Sequence, residues 1–274
     1  MLKLTLKQQP TVPLEAENIS PDVTAGLAND AIRALHVHHG KRMCRLDEFF
    51  DVEGETSDDL EIHGDASRVK LIGRAMTRGR IKIVGNAGMH LGAYMKGGTI
   101  EVTGNASDWV GAEMTNGLIR IAGNSGGQAG AAYRGSLAGM KGGTIIIGGN
   151  AGLEVGMRMK RGIIVVKGLV RDFAGLQMKG GTLFLLGGAE IRTGAWMFRG
   201  TIVSLHPLKL LPTFAASCAY NPSFLGIYAK HLATLGISIP HEAKDGAYHR
   251  YCGDSSVPGH GEILIWKGLA TSVP

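Results

Sequence analysis

Aromatic residues are scarce in this chain: tryptophan, tyrosine and phenylalanine together make up 6% of 274 residues, leaving few platforms on which bases or sugars could stack. Cysteine is nearly absent. Cys44, Cys218 and Cys252 are odd in number, far apart and without paired ligand spacing, so a reduced compartment is expected rather than a disulfide framework. Proline numbers only 9 and no strict three-residue period appears, which excludes a collagen-like chain despite 42 glycines. No apolar run reaches the length of a membrane span, and the start, MLKLTLKQQP, does not resemble a signal peptide. A cytoplasmic protein without membrane or nucleic-acid partners is expected, since a net charge of +6 does not by itself point to nucleic acid.

The charge is unevenly spread. Between Lys141 and Arg199 the basic residues are opposed only by Glu154, Asp172 and Glu190, whereas the segment from Asp47 to Glu61 is strongly acidic.

The glycines are periodic. They recur at Gly73, Gly92, Gly111 and Gly130, then at Gly156, Gly175 and Gly194, in steps of 19 residues with one step of 26. Three residues further on, methionine keeps the same phase at Met76, Met95, Met114, Met140, Met159, Met178 and Met197. Two more glycine columns, begun by Gly79 and Gly85, hold this register. A period in this range marks a solenoid. A β-branched run follows the Gly79 column in each unit, as in Ile81 to Val84, Ile100 to Thr103 and Ile164 to Val166, and glycine at this density excludes helices.

The expected fold is therefore all-β: a right-handed parallel β-helix of about seven 19-residue coils over residues 60–206, with small mixed α/β caps. At about 4.8 Å per coil the rod would be about 34 Å long. Each coil should carry two or three short strands. The methionines should stack inward as flexible fillers, and the Gly-Asn pairs, such as Gly85-Asn86, should turn corners because asparagine tolerates the left-handed region and bonds its own backbone. The seven extra residues of the long step, Ala131 to Leu137 (AAYRGSL), read as a loop protruding from one coil.

Residues 1–59 read as an N-terminal cap with a strand over Leu2 to Leu6, a helix around Asp30 to Leu35 and a hairpin turned at His39-Gly40. Residues 207–274 read as a tail with a helix over Pro222 to Leu235, capped by Asn221 with proline at its first position, and a last strand over Glu262 to Trp266. Capping covers the open ends against edge-to-edge association.

Catalytic signals are weak. The Gly-Asn-Ala-Gly turns are followed by strands where a nucleotide-binding loop needs a helix, and no Gly-Lys-Ser or Gly-Lys-Thr occurs. His36, His38 and His39 near Cys44 lack clear ligand spacing, so no metal site is expected on this chain. No nucleophile elbow or zinc-protease helix is present, and no catalytic residue is assigned. The candidate binding residues are Lys141, Lys160 and Lys179, each following a column methionine on successive coils, with Arg161 adjacent. Like charges about 5 Å apart repel by about 0.8 kcal/mol even in water. Such a ladder either splays its heads into solvent or docks a polyanion, an acidic partner face or a polyglutamyl cofactor tail.

The segment GNAGMHLGAYMKGGTIEVTGNASDWVGAEMTNGLIRIAGNSGG resembles the domain shared by the C subunit of formylmethanofuran dehydrogenases and the C-terminal domain of the glutamate synthase large subunit. PLEAENISPD and the length are similar to the former. The tail, LPTFAASCAYNPSFLGIYAKHL with YCGDSSVPGHGEILIW, is most similar to the C subunit of the bacterial formyltransferase/hydrolase complex. The resemblance implies a non-catalytic structural subunit, assembled with A, B and D subunits, in a complex that moves a formyl group from tetrahydromethanopterin to methylofuran and releases formate. It places methylofuran, tetrahydromethanopterin and a metal centre on the partner subunits. The competing readings are the same subunit in a molybdenum or tungsten formylmethanofuran dehydrogenase, and a free-standing polysaccharide-acting β-helix, which the low aromatic content disfavours.

Overall fold

A computed structural model of the protein describes residues 1–55 and 57–268. The chain opens with β1 (Leu2–Leu6), β2 (Leu14–Glu15), α1 (Pro21–Thr24), α2 (Asn29–Arg33) and the hairpin β3 (His36–His39) and β4 (Arg42–Arg45), followed by β5 (Phe50–Gly54), β6 (Asp59–His63) and β7 (Val69–Lys70). One strand per repeat comes next: β8 (Arg80–Val84), β9 (Thr99–Val102), β10 (Leu118–Ile121), β11 (Lys141–Ile147), β12 (Arg161–Val166), β13 (Lys179–Leu185) and β14 (Arg199–Ser204). The chain closes with β15 (Ala215–Tyr220), α3 (Leu225–Thr234), α4 (His241–Lys244), β16 (Tyr248–Gly253) and β17 (Gly261–Trp266).

The protein is mostly β, dominated by a 13-stranded sheet in the order β15-β16-β17-β14-β13-β12-β11-β10-β9-β8-β6-β1-β5. Strands β8 to β14 pair parallel and in sequence order, so Ile81, Ile100, Ile119, Ile145, Ile164, Leu183 and Ile202 stand in register. A second parallel ladder of single bridges runs through Ala66, Ala87, Ala106, Ser125, Ala151, Val170 and Ala189. Each repeat thus stacks on the one before it at two places.

The sequence pattern has a mechanical cause. All seven column methionines are fully buried. The Met95 ε-methyl lies 2.7 Å from where a Cβ on Gly117 would sit, and Met159 stands in the same relation to Gly181. Each methionine therefore packs over the bare backbone of the next repeat, and the two residue types recur together because each leaves room for the other. The first glycine column is filled from the sheet side: a Cβ on Gly92 would meet the Ile119 Cδ1 at 2.6 Å.

Several expectations need correction. A repeat contains one full strand and one bridging residue instead of two or three strands. Asn86, Asn105, Asn124 and Asn150 are not among the left-handed residues. They form a ladder instead, in which the Asn86 Oδ1 accepts the Asn105 N–H at 2.9 Å, and Asn105, Asn124 and Asn150 accept in turn from Asn124, Asn150 and Leu169 at 2.8 Å. The side chain bonds the next repeat, not its own backbone, because stacking puts an identical donor directly above it. In the tail, α3 begins at Leu225, after a turn in which Leu225 N–H donates to Pro222 O. Asn221 does not cap it; its amide donates to Asp245 O at 2.7 Å and ties the turn to the end of α4. The early helix spans Asn29–Arg33, and the last strand begins one residue before Glu262. Residues 269–274 of the expected tail lie outside the described residues. Among the described residues no helix is long and apolar enough to cross a membrane.

Candidate functional site

The corner that precedes each methionine is built from left-handed residues. Two columns of non-glycine side chains flank the first glycine: Leu71, His90, Trp109, Gln128, Glu154, Phe173 and Arg192 on one side, and Ala75, Tyr94, Glu113, Arg158, Gln177 and Trp196 on the other. Their φ angles lie between 52° and 67°. A side chain in this region costs about 1–2 kcal/mol, and aromatic rings are unusual there. Backbone bonds between repeats hold the geometry, as when Tyr94 N–H donates to Ala112 O at 2.8 Å and Trp109 N–H to Gly127 O at 2.9 Å.

Three aromatic residues and a histidine ring meet at this corner. Trp109 and Tyr133 stack with centroids 4.9 Å apart, and Tyr94 and His90 each stand 5.5 Å from the Tyr133 ring. The His90 Nδ1 and the Tyr133 hydroxyl are 2.8 Å apart, and the Tyr133 N–H donates to Glu113 Oε1 at 3.1 Å. Burial, and then the neighbouring Lys70, push the His90 imidazole below its ordinary value, so it is neutral at pH 7. Burial raises the Tyr133 phenol above the usual range. In front of these rings lies a recess of about 400 Å³ lined by Glu15, Glu17, Lys70, Leu71, Arg74, His90, Tyr94 and Tyr133. Arg74 sits 5.7 Å above the Tyr94 ring and pairs with Glu17.

The inserted loop is what completes this recess. Its Tyr133 folds back onto the preceding repeats, and its far end crosses the following ones: Arg158 Nη1 donates to Ser136 O at 2.7 Å and Lys179 Nζ to Leu137 O at 2.6 Å. The loop is therefore a strap along the corner on which Arg134, Gly135 and the Leu137 side chain, 77% exposed, face outward. Sequence reasoning missed the cluster because low overall aromatic content hides local concentration. The signal was available as Trp109, Phe173 and Tyr94, Trp196 at fixed distances from the glycine column.

A second recess of about 340 Å³ lies further along the corner, between Phe173, Arg192, Trp196, Pro212 and Asp254. The Arg192 guanidinium sits 4.1 Å over the Phe173 ring and binds the buried Asp172. Burial alone would raise the Asp254 carboxyl, yet hydrogen bonds from Ser256 and from the Trp196 N–H at 2.9 Å hold it below the usual carboxylate range.

The candidate cations are arranged differently from a simple lysine stack. In the strand register Lys141 faces Arg161 and Lys179 faces Arg199. Lys160 N–H and Arg161 N–H both donate to Met140 O, which places the two side by side above Lys141. Lys141, Lys160 and Arg161 are exposed, while the Lys179 ammonium is tied to the strap. Among the described residues none of Lys141, Lys160, Arg161, Lys179 and Arg199 forms an ion pair. His36 and His38 are exposed on β3, the His39 ring tilts against Phe49, and Cys44 is buried opposite Val37. Among the described residues no three histidine, cysteine, aspartate or glutamate side chains converge as metal ligands.

The glycine ladders and stacked repeats define a class: residues 65–211 match the GXGXG motif family, and the chain belongs to it. Within it, the chain is similar to the C subunit of the tungsten-containing formylmethanofuran dehydrogenase 2 of Methanothermobacter thermautotrophicus, with 46% identity over 95 residues, 33% of this chain and 35% of the relative. It is also similar to the C subunit of the molybdenum-containing formylmethanofuran dehydrogenase 1 of Methanosarcina barkeri, with 45% identity over 85 residues, 29% of this chain and 28% of the relative. The matched segment spans about a third of the length of these curated relatives. The fold agrees over nearly the whole chain with a chain of the crystal structure of the formyltransferase/hydrolase complex from Methylorubrum extorquens in complex with methylofuran. That match has a TM-score of 0.89 and 32% identity, covering 96% of this chain and 98% of the other.

Proposed function

We propose that this chain is a structural subunit, with no catalytic site of its own, of a cytoplasmic formyltransferase/hydrolase complex. In this reading the complex moves a formyl group from tetrahydromethanopterin to methylofuran and releases formate. The observation that carries it is the agreement with a chain of the formyltransferase/hydrolase complex over 96% of this chain, where the dehydrogenase relatives match about a third of it. The stacked repeats act as a right-handed parallel β-helix, a reading supported by the two parallel ladders, which keep their register across the one 26-residue step. Partners corresponding to the A, B and D subunits hold methylofuran, tetrahydromethanopterin and the metal centre, and the rod fixes their spacing.

The C subunit of a molybdenum or tungsten formylmethanofuran dehydrogenase is the second reading, favoured by the higher identity over the matched third of the chain. Sizing the native complex and measuring its metals separates the two: formyl transfer and formate release without molybdenum or tungsten supports the first, and either metal at stoichiometric level overturns it. The isolated chain should be inactive in both cases.

Lys141, Lys160, Lys179 and Arg161 form the docking stripe of this reading, directed at an acidic partner face or a polyglutamyl cofactor tail. Two exposed lysines and an arginine with no acid to pair with are a focus of positive potential. Replacing Lys141, Lys160 and Arg161 together with glutamate should weaken assembly or cofactor retention by about tenfold or more at low salt, with the difference shrinking as salt rises. Equal retention at low salt refutes the stripe.

A further inference from the structure

The recess beside the inserted loop has the composition of a ligand site that the scaffold role does not require. Its volume of about 400 Å³ falls within the range of small-molecule pockets, about 300–1,000 Å³. Its walls come from the N-terminal strand β2, two successive corners and the strap, so it lies where the cap meets the repeats. The rings are fixed in place: Tyr133 is held by Trp109, His90 and Glu113, and Tyr94 by its left-handed backbone. The two left-handed columns run along the stacked repeats, and at this corner they carry a histidine and a tyrosine that line the recess.

The charges of the recess divide into a closed pair and an open one. Arg74 and Glu17 pair with each other. Glu15 and Lys70 are register partners on neighbouring strands, yet they form neither an ion pair nor a side-chain hydrogen bond among the described residues. A carboxylate and an ammonium from neighbouring strands thus both line the recess beside the Tyr94 and Tyr133 rings without answering each other.

We propose that this recess binds a small amphoteric aromatic molecule, of the class of a free aromatic α-amino acid. Its flat ring lies against Tyr94 and Tyr133, its ammonium meets Glu15 and its carboxylate meets Lys70. A monovalent ligand leaves one of the two charges unanswered, and an aliphatic amino acid leaves the rings uncovered.

The test is calorimetry or ligand-observed NMR on the chain with L-phenylalanine, L-tyrosine and L-tryptophan, against 3-phenylpropionate, phenethylamine and L-leucine. At least one aromatic amino acid should bind saturably with a dissociation constant on the order of 1 mM or tighter. Each of the three controls should be weaker by about tenfold, the worth of one charge-assisted or stacking interaction. Tyr94→Gly, which removes the ring while relieving the backbone, should abolish binding without lowering the melting temperature. Lys70→Met should remove the advantage of the amino acid over phenethylamine. Absence of saturable binding by all three amino acids overturns the proposal, as does equal binding by wild type and Tyr94→Gly. Neither result bears on the scaffold reading, whose own test is the composition of the complex.

Discussion

The two halves of the large sheet carry the same inner face and opposite outer faces. Inward, Leu60, Ile81, Ile100, Ile119, Ile145, Ile164, Leu183 and Ile202 form one uniform buried column. Outward, a single register line reads Glu53, Lys3, Glu61, Lys82, Glu101 and Arg120 over the first six strands, alternating in sign at every step. Beyond β10 the same line becomes Ile146, Val165, Phe184, Val203 and Leu264, all buried. The switch coincides with α3, whose Leu225 and Leu232 pack on that line, and whose Tyr228 meets the Phe184 ring edge-on at 5.6 Å. The inner face is set by the coil itself, whereas the outer face is set by what lies on it: water on one half, a helix on the other. Alternating charges give each of the four inner strands of the open half an oppositely charged neighbour on both sides, and they keep the uncovered half from becoming an apolar patch.

The sharpest way to break this contrast is to empty the covered half. Phe184→Ala should destabilise the fold by about 3–5 kcal/mol, since it leaves a cavity under α3 and strips Tyr228 of its partner. The matching change in the open half, Lys82→Ala, should cost no more than about 1 kcal/mol. Denaturant midpoints of the two variants check both, and similar losses would mean that α3 does not define the difference. A second effect, smaller but still large, separates the repeats from the tail. Gly143→Ala should cost about 2–4 kcal/mol, because its φ is +87° and its new Cβ would lie 2.7 Å from both the Gly117 carbonyl and the Met114 ε-methyl. The same substitution at Gly226, inside α3 with open space around it, should stabilise by about 0.5–1 kcal/mol. Opposite signs in thermal melts are the expected outcome.

What was legible in the sequence follows from periodicity. A stack of like repeats places residue i over its counterpart one repeat later, so the methionine column, the inward isoleucines and the strand after the Gly79 column could be read directly. Where several solutions satisfy one residue type, the pattern alone did not decide. Asn86 and its fellows suit a corner or a ladder equally well by type, and only the presence of an identical N–H overhead makes the ladder the better bond. The helix start failed for a similar reason: Asn221 is a good cap, but Asp245 offers it a tertiary acceptor. At the candidate site, the lysines were visible because they repeat. Tyr133 was not, because the insertion that carries it lies outside the period, and folding back onto His90 and Trp109 is a tertiary event that no local pattern records.

The smallest expected effect probes the open half by pH. Lys82, at 2.7 Å, and His63, at 2.9 Å, hydrogen-bond to the Glu61 carboxylate and hold it below its ordinary range. A carboxyl depressed in the folded state adds stability above its unfolded value, about pH 4.3, and that contribution disappears as pH falls through the folded value. Glu61→Gln should therefore cost a few tenths to about 1 kcal/mol at pH 7, and the gap to wild type should close below about pH 4. High salt should narrow it as well, because this half of the sheet faces water. Replacing Val165 on the covered half with threonine offers the converse: a loss carried by burial, unchanged by salt and flat across the same pH range. If Glu61→Gln proved equally flat, the alternating charges would be only a means of keeping the surface polar, and the two halves would differ in solubility rather than in how their strands attract one another.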